Sequence, residues 1–133
     1  MRYCADTWYI LGLFSKDLKA VRIMEGVREG KDRLYIPLTV FAEATKKLLQ
    51  RGVSKEEIDT FFDSVGSSDK IQLIIPDVMI ARESARVSLG YGLSLLDSFV
   101  AATSKMVGAD ILLSGDSDYL PLVKKKYLKV QSW

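Results

Sequence analysis

Short apolar runs alternate along this chain with longer stretches in which apolar residues recur every three or four positions. The runs at 3–5, 34–36, 71–75 and 111–113 are too short for buried helices and are predicted as strands, with a last short strand at 128–130. Trp8, Ile10, Leu11, Leu13 and Phe14 form a bulky apolar cluster behind a helix entry at Asp6-Thr7. The spacing predicts a helix over 16–28, with Leu18, Val21, Ile23, Met24 and Val27 as core side chains and Gly30 as its stop. Pro37 ends the second strand and starts a helix over 38–50, with Val40, Phe41, Ala44, Leu48 and Leu49 at helical spacing. Ser54 and Glu57 make a capping box, and the helix they open carries Ile58, Phe61, Phe62 and Val65 on one face. Pro76-Asp77 leads into a helix reaching Leu89, and Gly90-Tyr91-Gly92 breaks it. One more helix starts near Ser94 and ends near Gly108.

Short apolar strands alternating with amphipathic helices predict an α/β fold: a mostly parallel central sheet flanked by helices in an α/β/α sandwich. At 133 residues the chain is expected to be a single domain, 1–133. No apolar run is long enough to cross a membrane, and the N-terminus reaches Asp6 too early for a signal peptide. The lone Cys4 has no internal partner for a disulfide. These features point to the cytoplasm and to no membrane partner. The net charge of +2 neither requires nor excludes nucleic acid.

The absence of histidine changes the picture more. It removes Ser-His and Cys-His nucleophiles, histidine general bases and most zinc sites. Carboxylates are left as the main source of polar chemistry, and five acidic residues at four places stand out. Asp6 follows the first strand, Glu43 lies in the helix after the second, Asp97 sits in the first turn of the helix after Ser94, and Asp116 and Asp118 follow the fourth strand. Each also has an ordinary reading. Asp6 can be a helix cap, and Glu43 has Lys47 four residues on. Ser94 and Asp97 have capping-box spacing, and Asp116-Ser117-Asp118 is turn composition. Sites in open parallel sheets form at the carboxyl ends of strands, where these acids are expected to meet. Such a cluster holds charge comfortably only around a hard cation, and an all-oxygen set favours Mg²⁺ or Mn²⁺. That chemistry suits phosphodiester hydrolysis better than acyl transfer.

The order of these acids resembles that of the PIN-domain nucleases. Ala5-Asp6-Thr7 is similar to the family's strand-one acid with its hydroxyl neighbour, and Val40-Phe41-Ala42-Glu43-Ala44 to its helical glutamate motif. The stretches 93–102, around Asp97, and 112–119, around Asp116 and Asp118, are close to its third and fourth motifs. Gly115 and Tyr119 stand where many members have a larger residue and phenylalanine. The resemblance spans nearly the whole chain and extends to VapC-type toxins. It implies a PIN-like fold and a Mg²⁺- or Mn²⁺-dependent ribonuclease, usually homodimeric, silenced by a cognate antitoxin. By the same resemblance Asp6, Glu43, Asp97 and Asp116 are the catalytic, metal-binding acids, with Asp118 accessory. Thr7 and Ser114 would orient carboxylates or water.

An acidic centre repels RNA phosphates, so cations are needed near it. Candidates are Lys46, Lys47 and Arg51 on one helix and Arg82 with Arg86 on another. Lys124-Lys125-Lys126 is a basic run that reads first as a solvated turn and second as an RNA contact. Tyr91 is a candidate stacking residue or core, and the Phe61, Phe62 and Val65 face a docking surface or core. Two other readings remain. One is an inactive PIN-like module that binds RNA or protein. The other is a phosphotransfer domain, which would need a closer acidic pair near strand one.

Overall fold

The computed structural model describes all 133 residues. Five strands, β1 (Arg2–Ala5), β2 (Arg33–Pro37), β3 (Ile71–Ile74), β4 (Ile111–Leu113) and β5 (Val130–Gln131), form one sheet in the order β3-β2-β1-β4-β5. All four pairings are parallel. Seven helices flank it: α1 (Thr7–Phe14), α2 (Leu18–Arg28), α3 (Leu38–Gln50), α4 (Lys55–Gly66), α5 (Val78–Tyr91), α6 (Leu95–Met106) and α7 (Leu120–Lys124). The α/β/α architecture with a parallel sheet is as the apolar spacing predicts. None of these helices is long and apolar enough to cross a membrane.

The three central strands are continuous apolar runs because helices cover both their faces. Cys4, Ala5, Leu34, Ile36, Leu112 and Leu113 are buried there with Tyr9, Val40, Val87, Val100 and Ala101 from the helices. The edge strands are wetter, and Leu73 on β3 is exposed. The sequence order reverses around β1, which has β2 on one side and β4 on the other. That switch point opens a crevice at the carboxyl ends of β1 and β4.

Helix boundaries follow local chemistry. Asp17 accepts from the Lys19 and Ala20 amides and caps α2, so the helix begins at Leu18 rather than at Lys16. Lys16 is left in a left-handed turn with φ of 58°. Leu18 is 81% exposed and Leu49 is also exposed, so neither joins the core. Both lie on the water side of helices whose apolar stripe is narrower than their composition suggests. Ser54, Asp77 and Ser94 cap α4, α5 and α6 through side-chain oxygens. α5 continues past Leu89 and ends at Gly92, whose φ of 72° suits glycine. Tyr91 is therefore the last helical residue and packs against Tyr127, with ring centroids 5.7 Å apart. It is not a free residue between two glycines. Phe61 and Phe62 stack with Phe14 and Phe41 and belong to the interior under α4. The last strand starts two residues and ends one residue later than expected, and the short α7 was not evident from spacing.

Candidate metal centre

The pairing of β1 with β4 determines where the first acids go. Ala5 lies opposite Leu113, and the ladder runs one step beyond, with the Asp6 N–H donating to the Leu113 carbonyl at 3.1 Å. Asp6 and Ser114 thus leave the two strands side by side, although 108 residues separate them. Asp6 occupies the cap position of α1 but makes no capping hydrogen bond. Its side chain turns instead to Ser114, whose hydroxyl donates to Oδ2 at 2.6 Å. That length is typical of a hydroxyl bonded to an ionised acceptor.

Ser114 also organises the turn beyond β4. Its Oγ accepts from the Asp116 N–H at 3.0 Å, and Asp116 Oδ1 accepts from the Asp118 N–H at 2.9 Å. The turn reading of Asp116-Ser117-Asp118 is therefore correct, and the turn also presents two carboxylates. Asp97 reaches the same place from α6. Ser94 Oγ accepts from the Asp97 N–H at 3.2 Å, which caps the helix. The Asp97 carboxylate faces the turn, and one oxygen each from Asp97, Asp116 and Asp118 lie within 4.8 Å of one another.

Asp6 and Glu43 stand outside that close group. Glu43 Oε1 is 3.6 Å from Lys47 Nζ, the ordinary helical pair, yet the Glu43 charge also bears on Asp6 and Asp97. Asp6 is joined to Asp97 by Tyr119. The Tyr119 hydroxyl lies 3.3 Å from Asp6 Oδ1 and 3.4 Å from Asp97 Oδ1, on a side chain with no solvent exposure. Its single hydrogen serves one of them at a time. Sequence reasoning noted Tyr119 only as a departure from phenylalanine. The signal that could have found it is the hydroxyl, since a buried phenol beside acids needs an acceptor.

The electrostatics match this crowding. Burial pushes the Asp6 carboxyl up to about 6, against the pull of the Ser114 hydrogen bond, and the Asp97 and Glu43 charges add to the rise. Asp97 is also raised, first by burial and then by Asp116, Asp118 and Glu43, with Ser94 opposing. The Tyr119 phenol is raised by burial and by Asp6, Asp97 and Asp116, so it remains a donor at any ordinary pH. Thr7 is buried at the start of α1. Its backbone amide favours the Asp6 anion, but no side-chain hydrogen bond links the Thr7 hydroxyl to an acid.

The donor set is all carboxylate and hydroxyl oxygen. Cys4 is buried in the core, and the chain has no histidine. Such a set fits a hard divalent ion and not zinc. Of the basic candidates, Lys47 is committed to Glu43 and Arg86 to Glu83. Lys46, Arg51 and Arg82 are exposed. No ion pair ties Lys46, Arg82 or Arg86 to the acids.

The PIN-domain family profile matches residues 3–126. No curated protein matches the sequence significantly. Among solved structures, VapBC2 from Rickettsia felis, bound to a DNA fragment from its promoter, is similar with a TM-score of 0.72 at 15% identity. That match covers 100% of this chain and 99% of the other. VapC20 from Mycobacterium tuberculosis, described as a sarcin-ricin loop cleaving toxin, has a TM-score of 0.70 at 14% identity, covering 89% and 92%. A toxin–antitoxin complex from Klebsiella pneumoniae gives 0.69 at 19%, covering 88% and 89%. At these identities the likeness is one of fold.

Proposed function

The chain belongs to the PIN-domain family, and from that premise we propose that it is a Mg²⁺- or Mn²⁺-dependent ribonuclease, the toxin of a VapBC-type toxin–antitoxin pair. The observation that carries this reading is the meeting of Asp97, Asp116 and Asp118 at one point, beside the buried Asp6. A divalent ion held there would supply Lewis acidity toward a scissile phosphate and a water of lowered pKa. Asp97, Asp116 and Asp118 offer the oxygens that would hold it, and Asp6 and Glu43 add negative charge behind them.

The remaining residues position these acids. Ser114 fixes one Asp6 oxygen and, through the Asp116 amide, the turn that carries Asp116 and Asp118. Tyr119 spans Asp6 and Asp97. Asp118 is exposed while Asp6 is buried, so the substrate phosphate approaches from the Asp118 side. Lys46, Arg82 and Arg86 remain candidates for RNA contacts outside the centre. An RNA target is in keeping with VapC20, a sarcin-ricin loop cleaving toxin, and an antitoxin partner with the toxin–antitoxin complex from Klebsiella pneumoniae. A homodimer or a bound antitoxin would also cover apolar surface, and Ile75, just before α5, and Val78 and Met79, at its start, are exposed. We place the protein in the cytoplasm, where the unpaired thiol of Cys4 stays reduced.

The test is cleavage of labelled single-stranded RNA by the purified chain. Activity is expected with Mn²⁺ or Mg²⁺, to disappear with EDTA, and to fall to background in Asp97→Asn. Cleavage that survives both treatments refutes the carboxylate centre. RNA binding by the metal-loaded wild type without any cleavage would favour the inactive-module reading instead.

A further inference from the structure

We propose that the groove beside the edge strand β5 is a track for the RNA backbone, with Lys105, Lys126 and Lys129 holding phosphates that lead away from the acidic centre. This rests on the ribonuclease reading and assigns it a substrate path. The track begins beside Asp116, the one acid of the centre that it touches, where a depression of about 270 Å³ is lined by Ser114, Asp116, Tyr119, Val123 and Val130. Val123 and Val130 also line a second groove of about 770 Å³, which has Lys105, Lys126 and Lys129 on its walls. The two depressions thus share a wall made by α7 and β5. They run from the carboxyl end of β4 back past Ile111. That stretch is about 10 Å at the rise of a strand, room for about three phosphates of a stacked chain.

The charge along this path is one-sided. Residues 119–133 contain Lys124, Lys125, Lys126 and Lys129 and no acid. Elsewhere Lys31, Lys47 and Lys55 are each neutralised by a neighbouring carboxylate. Lys126 and Lys129 are exposed and belong to no ion pair. Lys105 is held in place, its Nζ donating to the Tyr127 carbonyl at 2.9 Å and lying 5.2 Å above the Tyr127 ring. That leaves further N–H groups for a phosphate. Asp110 is the one acid on the walls of the larger groove, and its Oδ2 accepts from the Arg2 amide at 2.8 Å. Between the lysines the lining is mostly apolar, with Ala109, Ile111 and Leu128, and Gln131 is its one side-chain amide. Lysines over a mostly apolar lining bind a sugar-phosphate backbone without regard to sequence. Continuity with a centre built to cut phosphodiesters selects RNA over an acidic protein segment.

Anisotropy titrations of a labelled single-stranded RNA of about 12 nucleotides in EDTA, from low to moderate salt, test this. Each phosphate–lysine contact contributes about 0.7 to the slope of log K against log salt, so Lys126→Gln/Lys129→Gln should lower it by about 1.4. Affinity at moderate salt should fall about tenfold. A control with the same charge change, Lys31→Gln/Lys55→Gln, should keep the wild-type slope, and all three proteins should melt alike. The track is overturned if the Lys126/Lys129 variant keeps the wild-type slope, or if wild type binds no RNA. It is also overturned if poly-glutamate of matching length competes as well as RNA, since the groove is then a general polyanion surface. A fallen slope together with no Mn²⁺-dependent cleavage by wild type would keep the track and defeat the nuclease reading.

Discussion

Replacing Asp6 by asparagine should make the metal-free protein more stable at neutral pH, although it removes a hydrogen-bonded core residue. Asp6 is 4% exposed, and burial raises its carboxyl from 3.8 to about 6. The folded state therefore binds the proton more tightly than the unfolded chain does. Its contribution to stability is fully present below pH 3.8 and is lost as pH rises through 6. Above that window, holding the anion inside opposes folding by about 3 kcal/mol, at about 1.4 kcal/mol per pH unit of displacement. The asparagine side chain would be neutral and similar in size. Its amide still meets Ser114 and Tyr119, at a loss of about 1 kcal/mol from poorer hydrogen bonding. The net gain at neutral pH is then about 2 kcal/mol, a rise in Tm of about 7 °C for a chain of this length.

Thermal melts after chelation, at about pH 4 and about pH 7.5, measure this directly. The variant should melt higher at the neutral pH and level with the wild type or below it at the acid one. Saturating Mn²⁺ should reverse the order at neutral pH. A ligand at about a hundredfold over its Kd adds about 2.7 kcal/mol to a protein that binds it and far less to one whose site, without the Asp6 charge behind it, binds it more weakly. If the asparagine variant melts lower at neutral pH without metal, by the same margin at both pH values, Asp6 stabilises the fold as an ordinary hydrogen-bonded residue. The account of a strained acid cluster then fails.

Two further substitutions probe the surroundings. Tyr119→Phe keeps the ring packing and removes the hydroxyl between Asp6 and Asp97. It should weaken Mn²⁺ binding by about tenfold in calorimetry with a stability loss of about 1 kcal/mol, and unchanged affinity would show that the hydroxyl only fills space. Gly12→Ala tests the C-terminal clasp, because a Cβ there would lie 3.1 Å from the Trp133 ring, which packs edge-on to Tyr9. It should destabilise by about 1–3 kcal/mol and shift Trp133 fluorescence to the red in a Trp8→Phe background, and an unshifted spectrum would refute the contact.

The architecture was legible because each element carries its own signal. The short apolar runs are the central strands, Pro37 ends β2 and enters α3, and Ser54 and Ser94 cap the helices they precede. Burial within a helix was less legible. Leu18 and Leu49 satisfy the spacing but face water, since apolar identity does not say which side of a helix has a neighbour. The order of the acids along the chain was readable, but their grouping was not. Asp118, expected as accessory, lies in the closest trio, whereas Asp6 and Glu43 lie behind it. That grouping depends on the Ala5–Leu113 register and on the direction of the turn after Ser114, and neither has a local signature. Tyr119 was hidden for the same reason, because its two partners lie 113 and 22 residues away.

The ordinary and the functional readings of these acids prove to be complementary, since different atoms of one residue serve each. Asp97 gives its amide to the Ser94 cap and its carboxylate to the cluster. Asp116 commits Oδ1 to the turn, and Glu43 pairs with Lys47 while its charge still reaches Asp6 and Asp97. The local bonds fix where the acids stand without neutralising them. Two full charges within 4.8 Å repel by about 3 kcal/mol at an effective dielectric of about 20, and by less where Asp118 faces water. A hydrogen bond to a charged group returns about 1.5–3 kcal/mol, so the bonds from Ser114 and Tyr119 offset only part of the mutual repulsion of four carboxylates. The balance has to come from protons, toward which burial first and the Asp97 and Glu43 charges after it move Asp6, or from a cation. Near neutral pH the cation is the stronger of the two, because one divalent charge relieves every pair at once whereas a proton relieves only the carboxylate it binds.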